Sequence, residues 1–398
     1  MKNNQMCAII VDELNDEALK PLTNERPLGT LFFDCKYRLI DFELSSVVNA
    51  GIRNVQLIED EDKVRSVFDH LGGGREWGLD AIGSYQYVNY FQDSENKKAA
   101  GEKYFTNTIE FLEKSHTAYT VIMGTRMLCN LNLRAALKIH KQTDKPLTVI
   151  YSRTNVDEIA SYDNILSFDS LGNVITCDEF AKLADQTGTF DLSMNVYIAD
   201  TRWLIDALRK GQQLDAPAQL DDFLKEQLPK PGLAGGYEYV GYLQNIYDLQ
   251  SYYQANKDML DSDKMNELLY TNQRIITRTR NEVATYYDKH AKVKNSHLAT
   301  GCDIYGTVSD SLISRRSVVD PKAVVTDSIV MPNARIGHDA EIHWAILDKN
   351  VVVKPGVKIM GTPDHILVVP KNTRVEANLI STAEEANYVC GGRMCTIL

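Results

Sequence analysis

The feature that most constrains this chain is a repeat in its C-terminal part. Leu312, Val318, Val324, Val330, Ile336 and Ile342 recur every six residues. Three turn-sized segments recur with them. Val319-Asp320-Pro321-Lys322-Ala323, Ile336-Gly337-His338-Asp339-Ala340 and Val353-Lys354-Pro355-Gly356-Val357 begin seventeen residues apart. An aliphatic residue, then a small or acidic one, then a small one four positions after the first, is the hexapeptide-repeat pattern. Three hexapeptides close one coil of about 18 residues in a parallel β-helix. A spacing of seventeen leaves one corner a residue short, and the stacked aliphatics would fill the interior. The alternative, ordinary sheet strands with chance spacing, fits poorly with six aliphatics in one register.

The rest of the chain has a different rhythm. Met6–Val11 is a short apolar run of the kind buried in parallel sheets. Asp41 to Asn49 has helical spacing, with Phe42, Leu44, Val47 and Val48 apolar and Gly51 as a C-cap. Asn54 to Ile58, Ala118 to Met123 and Leu147 to Tyr151 are strand-like, and Leu133–Thr143 is helical. Strands alternating with helices predict a mostly parallel sheet covered by helices. Tyr247 to Leu260 reads as an amphipathic helix, and Asp261–Lys294 is polar and mixed. With 398 residues, two domains are expected. They are placed at 1–245 and 296–398, joined by a helical linker at 246–295.

The net charge of −11 opposes a polyanionic partner, so no nucleic-acid role is expected. Seven cysteines are scattered with no CxxC pair, which argues against a zinc site or a disulfide framework and for a reducing cytoplasm. No apolar run reaches membrane-spanning length, and the N-terminal residues resemble no signal peptide. A soluble cytoplasmic protein without a membrane partner is the expectation.

Lys36-Tyr37-Arg38-Leu39-Ile40-Asp41-Phe42, then Leu44-Ser45 and Asn49-Ala50-Gly51-Ile52-Arg53, resemble the sugar-nucleotide pyrophosphorylases, above all the ADP-glucose pyrophosphorylases (glucose-1-phosphate adenylyltransferases). Leu22-Thr23-Asn24-Glu25-Arg26 and the segment from His70 to Asp80 are similar to further runs of that family. The resemblance implies an α/β, Rossmann-like nucleotidyltransferase domain followed by a left-handed parallel β-helix of hexapeptide repeats.

The same resemblance marks what is missing. In that family a G-G-x-G-T-R-L loop cradles nucleotide phosphates with backbone N–H groups, and its Arg stabilises charge developing in the transfer. Here the loop reads Glu13-Leu14-Asn15-Asp16-Glu17-Ala18-Leu19, with no glycine, Ala18 at the Arg position and three carboxylates. The family's K-P pair is Leu28-Gly29. The two aspartates that would hold Mg²⁺ with ATP are replaced by Thr125, in Gly124-Thr125, and Tyr239, in Tyr239-Val240-Gly241-Tyr242. The sugar-phosphate E-K-P motif falls near Glu179-Phe180-Ala181, and Ser193-Met194-Asn195 is similar to S-M-G. Loss of one such electrostatic group typically costs about 10²–10³ in rate, and several together should leave almost nothing.

The expectation is therefore no catalytic residue, no metal and no cofactor in this chain, and a regulatory role beside a catalytic homologous subunit, in a heterotetramer. Arg26 and Arg38 match basic positions that lie near the family's effector site, so they are candidates for a sugar-phosphate effector; surface ion pairing is the plainer reading. Glu25 and Phe32 stand at other basic effector positions. Two other readings stay open. One is an active transferase using Asp12, Glu13 or Asp16 as substitute carboxylates. The other is a sugar-phosphate sensor without turnover. His338 on a coil reads as a surface residue, and Tyr85, Tyr87, Tyr90 and Phe91 as a packed strand. Gly72-Gly73-Gly74-Arg75 lacks the Lys-Ser/Thr of a P-loop and reads as a turn walling the nucleotide cleft.

Overall fold

The computed structural model describes residues 5–12, 16–183, 187–271, 273–381 and, as backbone, 395–397. Across the N-terminal sheet the strands run Val174–Glu179, Asn164–Phe168, Thr189–Asp200, Tyr119–Gly124, Met6–Val11, Asn54–Glu59 and Tyr85–Tyr90. Leu147–Asn155 also pairs with Thr189–Asp200, and Ala234–Glu238 pairs with Leu147–Asn155. The strands from Tyr119–Gly124 to Tyr85–Tyr90 are parallel, while Thr189–Asp200 is antiparallel to its neighbours.

Met6–Val11 is buried on both faces. Ala8 and Ile10 enter one apolar layer, Cys7, Ile9 and Val11 the other. That explains its unbroken apolar run. The helix Ile40–Asn49 buries Ile40, Phe42, Leu44 and Val47. It stops where Gly51 takes a φ of +85° and its N–H bonds the Val48 carbonyl at 2.9 Å. The register pairs Val11 with Gly124. Asp12 and Thr125 therefore leave the C-terminal ends of neighbouring parallel strands, where open α/β sheets place their crevice.

The C-terminal part is a parallel β-helix with three strand stacks. Its interior columns are Tyr287–Ile304–Val319–Ile336–Val353–Val375, Val293–Val308–Val325–Ile342–Ile359–Leu379 and Leu298–Ile313–Val330–Leu347–Val369. From Val319 to Ile342 the inward positions are spaced six, five, six and six residues: Val325, Val330, Ile336, Ile342. The short corner of each seventeen-residue coil lies at Asp327 and again at Trp344, both in the left-handed region with φ of 46° and 50°. This corrects the strict six-residue register. Val318 and Val324 are half-buried and flank the inward Val319 and Val325, and Leu312 packs into the layer between the domains. A constant period cannot follow a coil with one short side. The coils also begin earlier, at Tyr286–Tyr287, within the stretch read as linker.

Between the two parts, Leu28, Leu31, Phe33 and Phe42 share a continuous apolar layer with Tyr252, Tyr253, Leu312, Met331 and Ile346. The helix Leu249–Lys257 sits in that layer and starts at an Asp248–Ser251 capping box. Among the described residues, no helix is long and apolar enough to cross a membrane.

Candidate functional site

The crevice at the strand ends holds a cavity of about 320 Å³, lined in part by Asp12, Thr125, Glu179, Asp221, Asp222 and Lys225. Asp12 is 5% exposed. Its Oδ1 accepts from the Thr125 hydroxyl at 3.0 Å and from the Gly29 N–H at 3.4 Å. The hydroxyl at the first expected metal position thus points to a neighbouring carboxylate. Gly29 leaves room for this, because a Cβ there would stand 3.2 Å from Thr125 Cγ2.

The remaining substituted positions are also built into the protein. Tyr239 is buried in the apolar layer, donates its hydroxyl to the Tyr242 carbonyl at 3.1 Å, and has its phenol pKa pushed far up by burial. Leu28 is fully buried in the interdomain layer. Phe180 packs edge-on against Phe190 at 5.3 Å. Ala18 is exposed on the short helix Glu17–Leu19. Asp16 is bound to Lys63 at 2.6 Å. Glu13 lies outside the described residues. Arg126, beside Thr125, is ion-paired with Asp163 and lies over the Tyr162 ring at 4.9 Å. Asp163 also accepts from Asn245 at 2.6 Å and from the Ala160 N–H at 2.7 Å.

Four carboxylates, Asp12, Glu179, Asp221 and Asp222, face one lysine in this cavity. Lys225 lies 2.5 Å from Asp221 and 3.6 Å from Asp222, so its charge is already engaged. Asn195 also lines the cavity, with a φ of 52°. It occupies the glycine position of the S-M-G pattern, and asparagine tolerates that conformation better than most side chains. Among the described residues, no group of three or more His, Cys, Asp or Glu is arranged to hold a metal ion.

A second cavity, of about 750 Å³, opens between the sheet domain and the β-helix. Lys36, Arg38, Arg274, Arg278, Arg280 and Arg315 line it, against Asp34, Glu76 and Glu282. Burial and the nearby Arg26 charge lower the Arg38 pKa to about 10. Burial and then the Arg315 and Arg278 charges lower that of Arg280. These guanidinium groups repel one another where no anion separates them.

The structure separates the two arginines named from sequence. Arg38 lines the interdomain cavity, donates to the Ser66 hydroxyl at 3.1 Å and lies over the Phe32 ring. Arg26 is 6% exposed, ion-paired with Asp348 of the β-helix, and donates to the Leu22 carbonyl at 2.8 Å. Sequence reasoning missed Arg274, Arg278 and Arg280. Three arginines within seven linker residues were the available signal.

Other residues of the sequence motifs find plain places. Asp41 accepts from the Arg38 N–H at 2.8 Å and pairs with His70 at 2.5 Å. The His70–Asp80 segment meets the interdomain cavity through His70 and Glu76. Tyr85 stacks on Tyr87 and Phe111. His338 is an exposed partner of Asp339.

Comparison with known proteins agrees with this architecture. The nucleotidyl transferase family model matches residues 17–262, and the GlmU-like C-terminal hexapeptide model matches residues 281–365. Hexapeptide coils of that kind make the C-terminal part a left-handed β-helix. The glycogen biosynthesis protein GlgD of Bacillus subtilis (strain 168) is 27% identical over 373 residues, 93% of this chain and 97% of that one. The glucose-1-phosphate adenylyltransferase of Clostridium kluyveri is 29% identical over 341 residues, 83% of this chain and 87% of that one. The glucose-1-phosphate adenylyltransferase of Clostridioides difficile (strain 630) is 27% identical over 383 residues, 94% of this chain and 98% of that one. The chain belongs to the nucleotidyl transferase family, in the group that holds the glycogen biosynthesis protein GlgD and the glucose-1-phosphate adenylyltransferases.

Proposed function

We propose that this chain is a regulatory subunit of a glucose-1-phosphate adenylyltransferase complex in glycogen synthesis and makes little or no ADP-glucose itself. The partner would be a catalytic homologue, in a heterotetramer, that converts ATP and glucose 1-phosphate to ADP-glucose and diphosphate. One observation carries the reading. At the first expected metal position, the Thr125 hydroxyl donates to Asp12. Mg²⁺ takes charged oxygen ligands in near-ideal octahedral geometry. A hydroxyl and a buried phenol at 125 and 239 do not supply them, so the donor set does not fit the metal. The excess of carboxylates in the crevice would also repel a triphosphate.

Titrating the isolated chain with Mg²⁺ and ATP in a calorimeter tests this. No saturable heat is expected at concentrations where a catalytic homologue binds. Magnesium-dependent binding would revive the reading in which Asp12, Glu13 or Asp16 replaces the lost ligands.

The interdomain cavity supports an effector role within the same reading. Its arginines suit a phosphorylated sugar, with Arg38 as a ligand and Arg26 as the brace that keeps the two domains in register.

A further inference from the structure

The strands Phe32–Phe33 and Tyr37–Arg38 form a hairpin that reaches from the sheet domain to the β-helix. At its tip Asp34 and Cys35 take φ of 44° and 60°, and neither is glycine. The left-handed region crowds any Cβ, so two such residues in a row persist only where their surroundings hold them. Both side chains are held by one residue of the first coil. Asp34 Oδ1 meets His297 Nδ1 at 2.6 Å, and the Cys35 thiol donates to the His297 carbonyl at 3.4 Å. The Asp34 N–H donates to Asn256 Oδ1 at 3.0 Å, which anchors the tip to the helix Leu249–Lys257.

This clasp stands in the wall of the interdomain cavity, which Asp34 and His297 both line. The Asp34 side chain is 10% exposed and that of His297 34%. With Nδ1 on the carboxylate, the imidazole keeps Nε2 for the cavity. The Asp34 hydrogen bond raises the His297 pKa, while burial raises that of Asp34 against the pull of His297 and Lys36. The other groups facing the cavity are differently placed. Lys36 lies over the Tyr37 ring at 5.1 Å. His70 is engaged by Asp41 at 2.5 Å, and burial lowers its pKa. Glu282 is paired with Arg315 at 3.0 Å. Glu76, Arg38, Arg274, Arg278 and Arg280 complete the charged lining. Guanidinium groups keep their charge, whereas a histidine changes its charge near neutral pH.

We propose that the Asp34–His297 pair links anion binding in the interdomain cavity to a proton: His297, held by Asp34, offers its Nε2–H to a phosphomonoester dianion, and the cavity binds that dianion more tightly when His297 is protonated. That an anion binds there at all rests on the effector role proposed above. When the imidazole is neutral, the Asp34 carboxylate is left facing the anion, so both charges of the pair work in the same direction. An anion within hydrogen-bond reach raises a histidine pKa by about one unit or more, and one unit is a tenfold difference in affinity between the two protonation states. Affinity is therefore full below the His297 pKa of the free protein and falls as pH rises above it.

Sulfate is the probe, because it stays a dianion throughout, whereas a phosphomonoester itself titrates near pH 6. It is titrated calorimetrically into the full-length chain at constant ionic strength from about pH 6 to about pH 8.5. Wild-type affinity should weaken about tenfold across that range. His297→Gln should bind at the weak, high-pH level throughout. Asp34→Asn keeps a side chain suited to the left-handed region and should move the transition to lower pH, because the partner that raises the His297 pKa is gone. Wild-type affinity that is flat with pH, or a pH dependence that survives His297→Gln, would overturn the proton link and leave the anion site standing. Sulfate that binds at no pH would overturn the effector cavity and this proposal with it.

Discussion

Thr125 shows how a single residue can carry both legible and hidden information. Sequence identifies it as standing where a metal ligand is expected, but not that its hydroxyl is bonded to Asp12. Glu43 and Glu59 cannot be singled out in the sequence, because nothing in the pattern says that a carboxylate is buried. Glu59 is 1% exposed, and neither of its carboxylate oxygens has a hydrogen-bond partner among the described residues. Burial, with Asp12 and Asp60 nearby, holds its pKa well above the usual carboxylate range; burial does the same for Glu43. The folded chain therefore keeps protons that the unfolded chain releases above about pH 4.3. Stability from these groups is full below that pH and is lost as pH rises toward their folded-state values. Glu59→Gln should leave the melting temperature nearly unchanged at pH 4 and raise it at pH 8, by roughly 1–3 kcal/mol of stability. An equal shift at both pH values in thermal unfolding would contradict the protonation argument.

The elements themselves were largely readable. The strand–helix alternation, the helix ending at Gly51 and the existence of the coils all come from apolar spacing and local turn chemistry. What spacing did not give was the inward register before Val330, because the corner at Asp327 is a residue short, or the first coil, whose inward residues include the exposed Tyr287 and Val293 rather than buried aliphatics. Contacts between distant elements are not local properties at all. Arg26, near the short helix Leu28–Thr30, reaches Asp348 in the β-helix, and both side chains are almost fully buried. Removing one member of such a pair strands the other charge, at a cost of about 3–5 kcal/mol. Arg26→Ala should lower stability by that order. The double variant with Asp348→Ala should recover part of the loss, read from urea unfolding of the single and double variants. If Arg26→Ala alone has no effect, the brace between the domains is not there.

At the scale of the whole molecule, the sheet domain and the β-helix share one apolar layer and enclose an arginine-lined cavity between them. A ligand bound in that cavity touches both parts, which suits control of one by the other. Fructose 1,6-bisphosphate should raise the melting temperature of the isolated chain, since a ligand selective for the folded state stabilises it by mass action. Arg278→Ala with Arg280→Ala should remove most of that shift in a thermal-shift titration. A shift that survives both substitutions would place the anion elsewhere. The family resemblance led to Arg38 but not to these linker arginines, since the cavity exists only once the linker is folded between the domains.

One comparison tests the regulatory role most directly: ADP-glucose synthesis by this chain alone, by a catalytic homologue alone, and by the two co-expressed. A dismantled crevice on an intact scaffold predicts no synthesis above background by this chain, and a changed rate or effector response when the two are together. Synthesis by the isolated chain at a rate like that of the homologue would contradict it.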